Sequence, residues 1–427
     1  MASVLRTLRT HWKKSTVGGA LCVWGATWAH KRHKASLLRR AACEEALVFG
    51  NERLFLTDAP KRITVFLNPA ASNGKAKNLF DLNAAPILHL AGFEVTVVKT
   101  DHEGQAQDLL GVLDRTDAIV VAGGNGTLLE VVTGMLRRDD EADFSKIPIG
   151  IIPLGKVNTV GGIVNLQEED QVRRITSAAL AIVRGSTVPV DVLQVVGVKG
   201  KPVYALSELR WGNYRDAEAS TPRYWYLGPL KKVASYLLST FQEWPPSRHA
   251  LLSYAEPAER PEYVEESPGP VPRPSLWRRI YNRFLRLQES KVPEKPVEET
   301  PQTEMEISSM EVVISSLNAV LDLKTSQQKP DAVDIVLMPS AITKMDFLRA
   351  GMRKSINPPI HTSPTDLLWR LTCWMGLAPQ VQGGWFSIDS EEYEAMDVQV
   401  RVLPWKLKLF CHSSIRDKLL VETLPTL

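Results

Sequence analysis

The chain has 427 residues, 44% of them hydrophobic and 23% charged, with 51 basic against 48 acidic side chains. That length suits two or three domains with ample core, and a net charge of +3 without a strongly basic domain excludes nucleic-acid binding as the main activity. Four scattered cysteines, Cys22, Cys43, Cys373 and Cys411, have no paired spacing, which argues against a zinc site or a disulfide framework.

The first 43 residues contain no Asp or Glu but many Lys and Arg. On a helix, Leu5, Leu8 and Trp12 fall on one side and Arg6, Arg9 and Lys13 on the next, the pattern of a mitochondrial targeting element. Val17 to Ala29 is apolar and carries Trp24 and Trp28. It is shorter than the ~20 residues that span a bilayer, so it reads as a signal-like core, a monotopic anchor or a short docking segment. Residues 1–58 are therefore expected to target the chain or associate with a membrane.

From Lys61 the chain alternates strand and helix signals, which predicts an α/β domain over residues 59–187 with a parallel sheet and covering helices. Ile63 to Leu67 reads as a strand running into the loop Asn68-Pro69-Ala70-Ala71-Ser72-Asn73-Gly74-Lys75. Glu94 to Thr100 is a second strand, followed by a helix over Gln105 to Leu113. The β-branched run Ile119 to Val121 opens into Gly123-Gly124-Asn125-Gly126 and a helix from Thr127 to Arg138. Ile147 to Pro153 is the next strand and ends at Leu154-Gly155-Lys156-Val157-Asn158. In such sheets ligands bind beyond the C-terminal ends of strands. A glycine turn feeding a helix N-terminus makes a phosphate cradle, because bare backbone approaches closely and free N–H groups point outward. The loop lacks the Lys-Ser/Thr of a P-loop and the third glycine of a dinucleotide fingerprint. Taken alone, it also fits a tight strand–helix turn with no ligand.

Beyond Val188 the apolar runs shorten and alternate. Val203 to Leu206, Met310 to Ser315, Ala332 to Met338 and Val398 to Leu403 predict a mainly antiparallel, β-sandwich-like second domain over residues 188–417. An insertion near 256–304 is rich in Pro and Glu and is expected to be disordered. Within it, Leu276, Ile280, Phe284 and Leu287 share one helical face and Arg278, Arg279, Arg283 and Arg286 the other, which suits a membrane surface.

The ordered set Asn68-Pro69, Gly74-Lys75, Thr100 with Gly104, Gly123-Gly124-x-Gly126-Thr127, Glu130 and Pro153-Leu154-Gly155-x-x-Asn158 is far more specific than the glycine loop. With it the chain resembles the diacylglycerol-kinase-type lipid kinases, which include sphingosine and ceramide kinases. Arg210-Trp211-Gly212, Tyr224 to Lys231 and Phe386 to Met396 add to the resemblance. It implies ATP and a lipid hydroxyl meeting between the two domains, with the γ-phosphate passing to monoacylglycerol and diacylglycerol to give lysophosphatidic and phosphatidic acid. By similarity, Asn68, Thr100, Gly123, Gly124, Gly126, Thr127 and Gly155 surround the nucleotide. Glu130 contacts its ribose region, or complements the helix dipole. Lys231 faces the phosphates, or is a plain surface lysine. Asp389 and Glu391, in a stretch that matches the family's Asp-Gly-Glu, hold Mg²⁺, which prefers oxygen ligands. Asp216 contacts the lipid head group.

Asn125 departs from the family, which has Asp at this position. Asn keeps the shape but cannot take a proton, and loss of a general base costs about 10²–10⁴-fold in rate. Lys156 stands where relatives carry Thr or Ser, and would pair with phosphate or block the site. The resemblance also implies a role that needs no base at Asn125. A mitochondrial member of the family serves as a subunit of the inner-membrane carrier translocase, facing the intermembrane space.

Overall fold

The computed structural model describes residues 12–52, 60–113, 116–165, 168, 170–198, 200–241, 244, 248–254, 303–316, 332–339, 342–356, 367–372, 374–380 and 384–416. Four parallel strands form the first half, in the order β4 (Ile149–Pro153), β3 (Ala118–Gly123), β1 (Arg62–Leu67), β2 (Glu94–Lys99). The three inner strands are apolar almost throughout and buried, as strands covered on both faces must be. Alternation along β1 sends Val65 and Leu67 to one core and Phe66 to the other. The first core is completed by α2 (Ala76–Asn83), α3 (Ala85–Leu90) and α7 (Gln171–Arg184), through Phe80, Leu88, Ile175 and Val183. The second is completed by α4 (Gln105–Val112) and α5 (Asn125–Leu136), through Leu110, Leu128 and Val132. Asp170 caps α7 by accepting from Val172 N at 2.9 Å, and Gly185, at φ +76°, ends it.

The second half is antiparallel. β7 (Glu208–Gly212), β9 (Thr303–Ser315), β8 (Arg248–Tyr254), β12 (Trp374–Pro379) and β15 (Val398–Phe410) follow one another, and β13 (Trp385–Ile388) pairs with β14 (Glu391–Glu394) beyond β7. β10 (Ala332–Pro339) lies between β9 and β11 (Leu367–Thr372), and β5 (Thr187–Gly197) between β15 and β6 (Val203–Ala205). Trp211, Val312, Ile314 and Phe386 build its core. The two halves share one hydrogen-bonded sheet, because β15 does not stop at Leu403. It continues past a bulge at Leu403/Leu407, pairs β5 along its length and places Leu409 beside Ile149 of β4.

Against β9 pack α8 (Asn213–Ser220), a 3₁₀ stretch (Thr221–Leu230), α9 (Lys231–Ser239) and α10 (Lys344–Ile356). They are held together by Tyr214, Tyr236, Met310 and Phe347, with the Tyr214 and Phe347 rings stacked at 4.3 Å.

A single helix, α1 (Trp12–Glu52), replaces the separate N-terminal segments read from sequence. Its last turns dock on the parallel half: Ala42 and Ala46 are buried, Arg39 Nε donates to Asn83 Oδ1 at 2.8 Å, and Glu45 pairs with Arg184 at 2.7 Å. Leu21, Trp24 and Trp28 are exposed. No helix among the described residues is long and apolar enough to cross a membrane. The amphipathic helix expected at Ser275 to Leu287, and almost all of the insertion around it, lie outside the described residues.

Candidate functional site

Four loops meet at the C-terminal ends of the parallel strands. Asn68 continues β1, donating its backbone N–H to Ala122 O at 3.1 Å and its side-chain amide to Thr127 Oγ1 at 3.2 Å. Thr100, buried, ends β2 with its N–H on Leu67 O at 3.0 Å. The glycine loop and the loop after β4 lie back to back. Leu154 N and Gly155 N both donate to Gly123 O, and Asn125 N donates to Val157 O at 3.1 Å. A Cβ on Gly155 would lie 2.9 Å from Gly124 N, so only glycine fits between the two loops. Asn158 closes its loop by accepting from Gly155 N at 3.1 Å. Thus Asn68, Thr100, Gly123, Gly124, Gly126, Thr127 and Gly155 come together around the N-terminus of α5. Lys156 is exposed on the same loop.

Asn125 is the hub of this arrangement. It is only 5% exposed; its Oδ1 accepts from Thr159 N at 2.9 Å, and its Nδ2 donates to Thr159 Oγ1 at 3.0 Å and Ser390 Oγ at 3.2 Å. An aspartate fits the same cage, since both hydroxyls can turn to donate instead.

Ser390 reaches Asn125 from the tight turn joining β13 to β14. Ile388 pairs with Glu391, and Asp389 and Ser390 between them have φ +46° and +75°. Two left-handed residues match the twist of a two-residue hairpin, and for a serine that backbone costs about 1–2 kcal/mol.

Asp389 does not take the metal-facing position expected from sequence. It is 3% exposed and both oxygens are occupied: Leu206 N donates at 2.7 Å, Ser207 N at 2.9 Å, Ser207 Oγ at 2.6 Å and Glu208 N at 3.1 Å. Burial pushes its carboxyl pKa up, opposed by these four donors. Asp389 therefore ties the turn to the segment between β6 and β7, and the hairpin in turn carries Glu391.

Glu391 lies over the first turn of α5, where a Cβ on Gly126 would come 2.7 Å from its Cδ. Its pKa is raised by partial burial and by Glu103, Glu130 and Glu392. Glu130, on the same helix, is raised by burial and lowered by N–H donors at Gly104 and Ala106. Glu391, Glu130 and Glu103 thus gather negative charge beside the glycine loop. Among the described residues no group of three or more His, Cys, Asp or Glu side chains is arranged as a metal cage.

Asp216 sits apart, on α8. It pairs with Arg215 at 3.1 Å and Arg248 at 2.8 Å and lines a cavity of about 140 Å³ with Ser220, Tyr224, Trp244 and Phe347. Arg215, 5% exposed, also reaches Glu392 Oε1 at 2.7 Å, which links the cavity wall to the hairpin that carries Glu391. Lys231 is exposed at the start of α9, and no hydrogen bond or ion pair among the described residues joins it to the glycine loops. Glu103, Thr159, Ser390, Arg215 and Glu392 are the site residues that sequence reasoning missed.

A family model described as the diacylglycerol kinase catalytic domain matches residues 62–195, and one described as the acylglycerol kinase C-terminal region matches residues 206–424. The chain is 49% identical to mitochondrial acylglycerol kinase of Homo sapiens over 428 residues, covering all of both chains. It is 49% identical to that of Xenopus laevis, covering 99% of this chain and 98% of the relative. Sphingosine kinase 1 of Arabidopsis thaliana is 27% identical over half of this chain and 44% of its own length. A putative diacylglycerol kinase from Bacillus anthracis str. Sterne shares the fold, with a TM-score of 0.53 at 14% identity, over 84% of this chain and all of that one. With its two halves matched in order and near-half identity from end to end, the chain belongs to the acylglycerol kinase family.

Proposed function

We propose that this lipid-kinase-family chain transfers the γ-phosphate of ATP to monoacylglycerol and diacylglycerol, giving lysophosphatidic and phosphatidic acid. The observation that carries the reading is Glu391, brought from the far end of the chain onto Gly126 where the four strand-end loops converge. Phosphoryl transfer depends on positioning and charge neutralisation. The backbone N–H groups of the glycine loop and the N-terminus of α5 suit the nucleotide phosphates, and Glu130 and Thr100 flank them. Of the two carboxylates expected to hold Mg²⁺, Glu391 fits, with Glu130 beside it. Asp389 does not, since its oxygens are occupied; it positions the hairpin. Mg²⁺ bound with ATP supplies neutralisation of the phosphate charge. The acceptor's head group belongs at Asp216 and Arg248, with Arg215 linking it to the hairpin. No hydrogen bond or ion pair among the described residues ties the Lys231 side chain to this site, and it takes no part in the proposal.

The proton is the weak point of the arrangement. Asn125 cannot accept it, and the loss of a base is worth about 10²–10⁴-fold. Asn125 and Ser390 form a hydrogen-bonded pair, so the two are tested together. Transfer from labelled ATP to both acceptors is measured for this chain, for Asn125→Asp and for Asn125→Asp with Ser390→Gly. Measurable transfer by this chain that rises by two orders of magnitude or more in the Asp forms supports the reading, whereas transfer by the Asp forms alone favours the non-catalytic reading below. Equal rates in all three move the base to Glu391, and no transfer by any form rejects the kinase reading.

The neutral Asn125 and the exposed first turns of α1 favour a second reading: a non-catalytic subunit of the mitochondrial inner-membrane carrier translocase. The basic, acid-free N-terminus and the mitochondrial relatives support a mitochondrial location; association with the inner membrane, facing the intermembrane space, is part of this second reading. Removing residues 1–43 should abolish membrane association and co-purification of translocase subunits. Unchanged association sinks this reading.

A further inference from the structure

The helix α9 and the residues flanking it, Leu230, Thr240 and Phe241, have one buried face and one outward apolar stripe. Ser235, Tyr236 and Thr240 face the protein, where Tyr236 packs edge-on to Phe347 at 6.0 Å and donates to Glu218 at 2.9 Å. The opposite stripe, Leu230, Val233, Leu237 and Phe241, recurs at helical spacing and points to solvent, with Leu230 63% and Phe241 76% exposed. A helix on a globular protein normally buries its apolar stripe. Trp225 and Tyr226 of the preceding 3₁₀ stretch extend the patch at 77% and 64% exposure, their rings 6.3 Å apart and edge-to-face. A contiguous surface of this kind marks an interaction site.

The charges around it choose the partner. Arg223 and Lys231 are exposed at its rim, and no Asp or Glu occurs between residues 221 and 241. Trp and Tyr beside aliphatic side chains, ringed by cations, match the boundary between head groups and acyl chains. Tyr224 and Leu238 also line the cavity that holds Asp216 and Arg248, so the patch is continuous with a polar chamber. We propose that residues 221–241 are a membrane-docking surface that lays its aromatic and aliphatic side chains into a bilayer containing anionic lipid. This goes beyond the kinase reading, because a chain without transfer activity docks in the same way.

The test is hydrogen exchange on the full chain, alone and with vesicles of phosphatidylcholine with or without phosphatidylglycerol. Peptides over 221–241 should exchange more slowly with vesicles, most with the anionic ones, while those of α7 stay unchanged. Trp225→Ser with Leu230→Ser and Phe241→Ser should weaken vesicle partitioning about tenfold or more, with phosphate transfer from ATP to a detergent-solubilised acceptor unaltered. Three results overturn the proposal: exchange over 221–241 unmoved by vesicles while α1 is protected; protection without vesicles that grows with protein concentration, which makes the surface a contact between copies; and concentration-independent protection in solution, which means the chain covers it itself.

Discussion

Replacing Gly126 with alanine separates the site from the fold. The backbone at Gly126 is not among the left-handed glycines, so alanine fits the helix and gains up to about 1 kcal/mol in propensity. The new methyl would meet Glu391, 2.7 Å from its Cδ and 3.3 Å from its Cγ. Those atoms belong to a flexible, solvent-exposed side chain, so Glu391 swings aside and the hairpin stays, tied by Asp389. Clearing normal contact moves the carboxylate by about an ångström, and a misplacement of that size costs about 10²-fold in rate, or roughly 2.7 kcal/mol of barrier. The expected outcome is a melting temperature equal to or slightly above the parent, with kcat/KM for ATP down about a hundredfold. Calorimetry and initial-rate transfer of labelled phosphate read the two quantities, with Asn125→Asp as the parent if the natural chain turns over too slowly. An unchanged rate at unchanged stability refutes the placement of Glu391 in the site; loss of folding refutes the account of the loop.

Three further outcomes follow from other buried contacts. Asp389→Asn turns an amide N–H₂ toward backbone donors and should cost about 2–3 kcal/mol in urea unfolding, a loss that a merely solvated turn residue would not show. Burial alone would raise the Glu311 carboxyl, but Lys354 and Arg210 hold it down to about 2. Because that lies below its ordinary 4.5, its stabilisation is complete above pH 4.5 and is lost as the pH falls toward 2. Glu311→Gln should therefore be less stable at pH 7 and lose less stability than the parent across that acid window. Glu392→Gln removes one of the two carboxylate partners of buried Arg215 and should raise KM for the acylglycerol about threefold to fivefold, leaving KM for ATP unchanged; the glutamate is half exposed, so the effect stays below about 1 kcal/mol.

The parallel half was legible because buried parallel strands write themselves as unbroken apolar runs, and the glycines that end them have no substitute. The strand at Ile63 to Leu67 and the loops at Asn68, Gly123 and Gly155 stand within a residue or two of where the pattern puts them. Asp389 was misread because an acidic residue in a turn carries no local mark of burial; its donors, Leu206 to Glu208, are remote in the chain. Ser390 and Thr159 escaped for the same reason, since what matters is their meeting at Asn125. Half-polar antiparallel strands such as β8 and β14 are short and alternate with few apolar residues, so little in them stands out from loop. The outward stripe on α9 has no separate mark in the sequence: periodicity reveals that a face is apolar, but not which way the helix is turned.

Strand β15 has a consequence for the order in which the molecule is made. Until its residues emerge from the ribosome, the outer edge of β4 and one flank of β5 have no partner, although everything else in the parallel half is already synthesised. An unpaired edge of apolar β-branched residues is a template for pairing with other chains. The nascent protein thus carries its greatest aggregation risk late in translation, and chaperone capture should peak just before Val398. A stop codon at the start of β15 would leave two open sheets at once, rather than a shortened but intact protein.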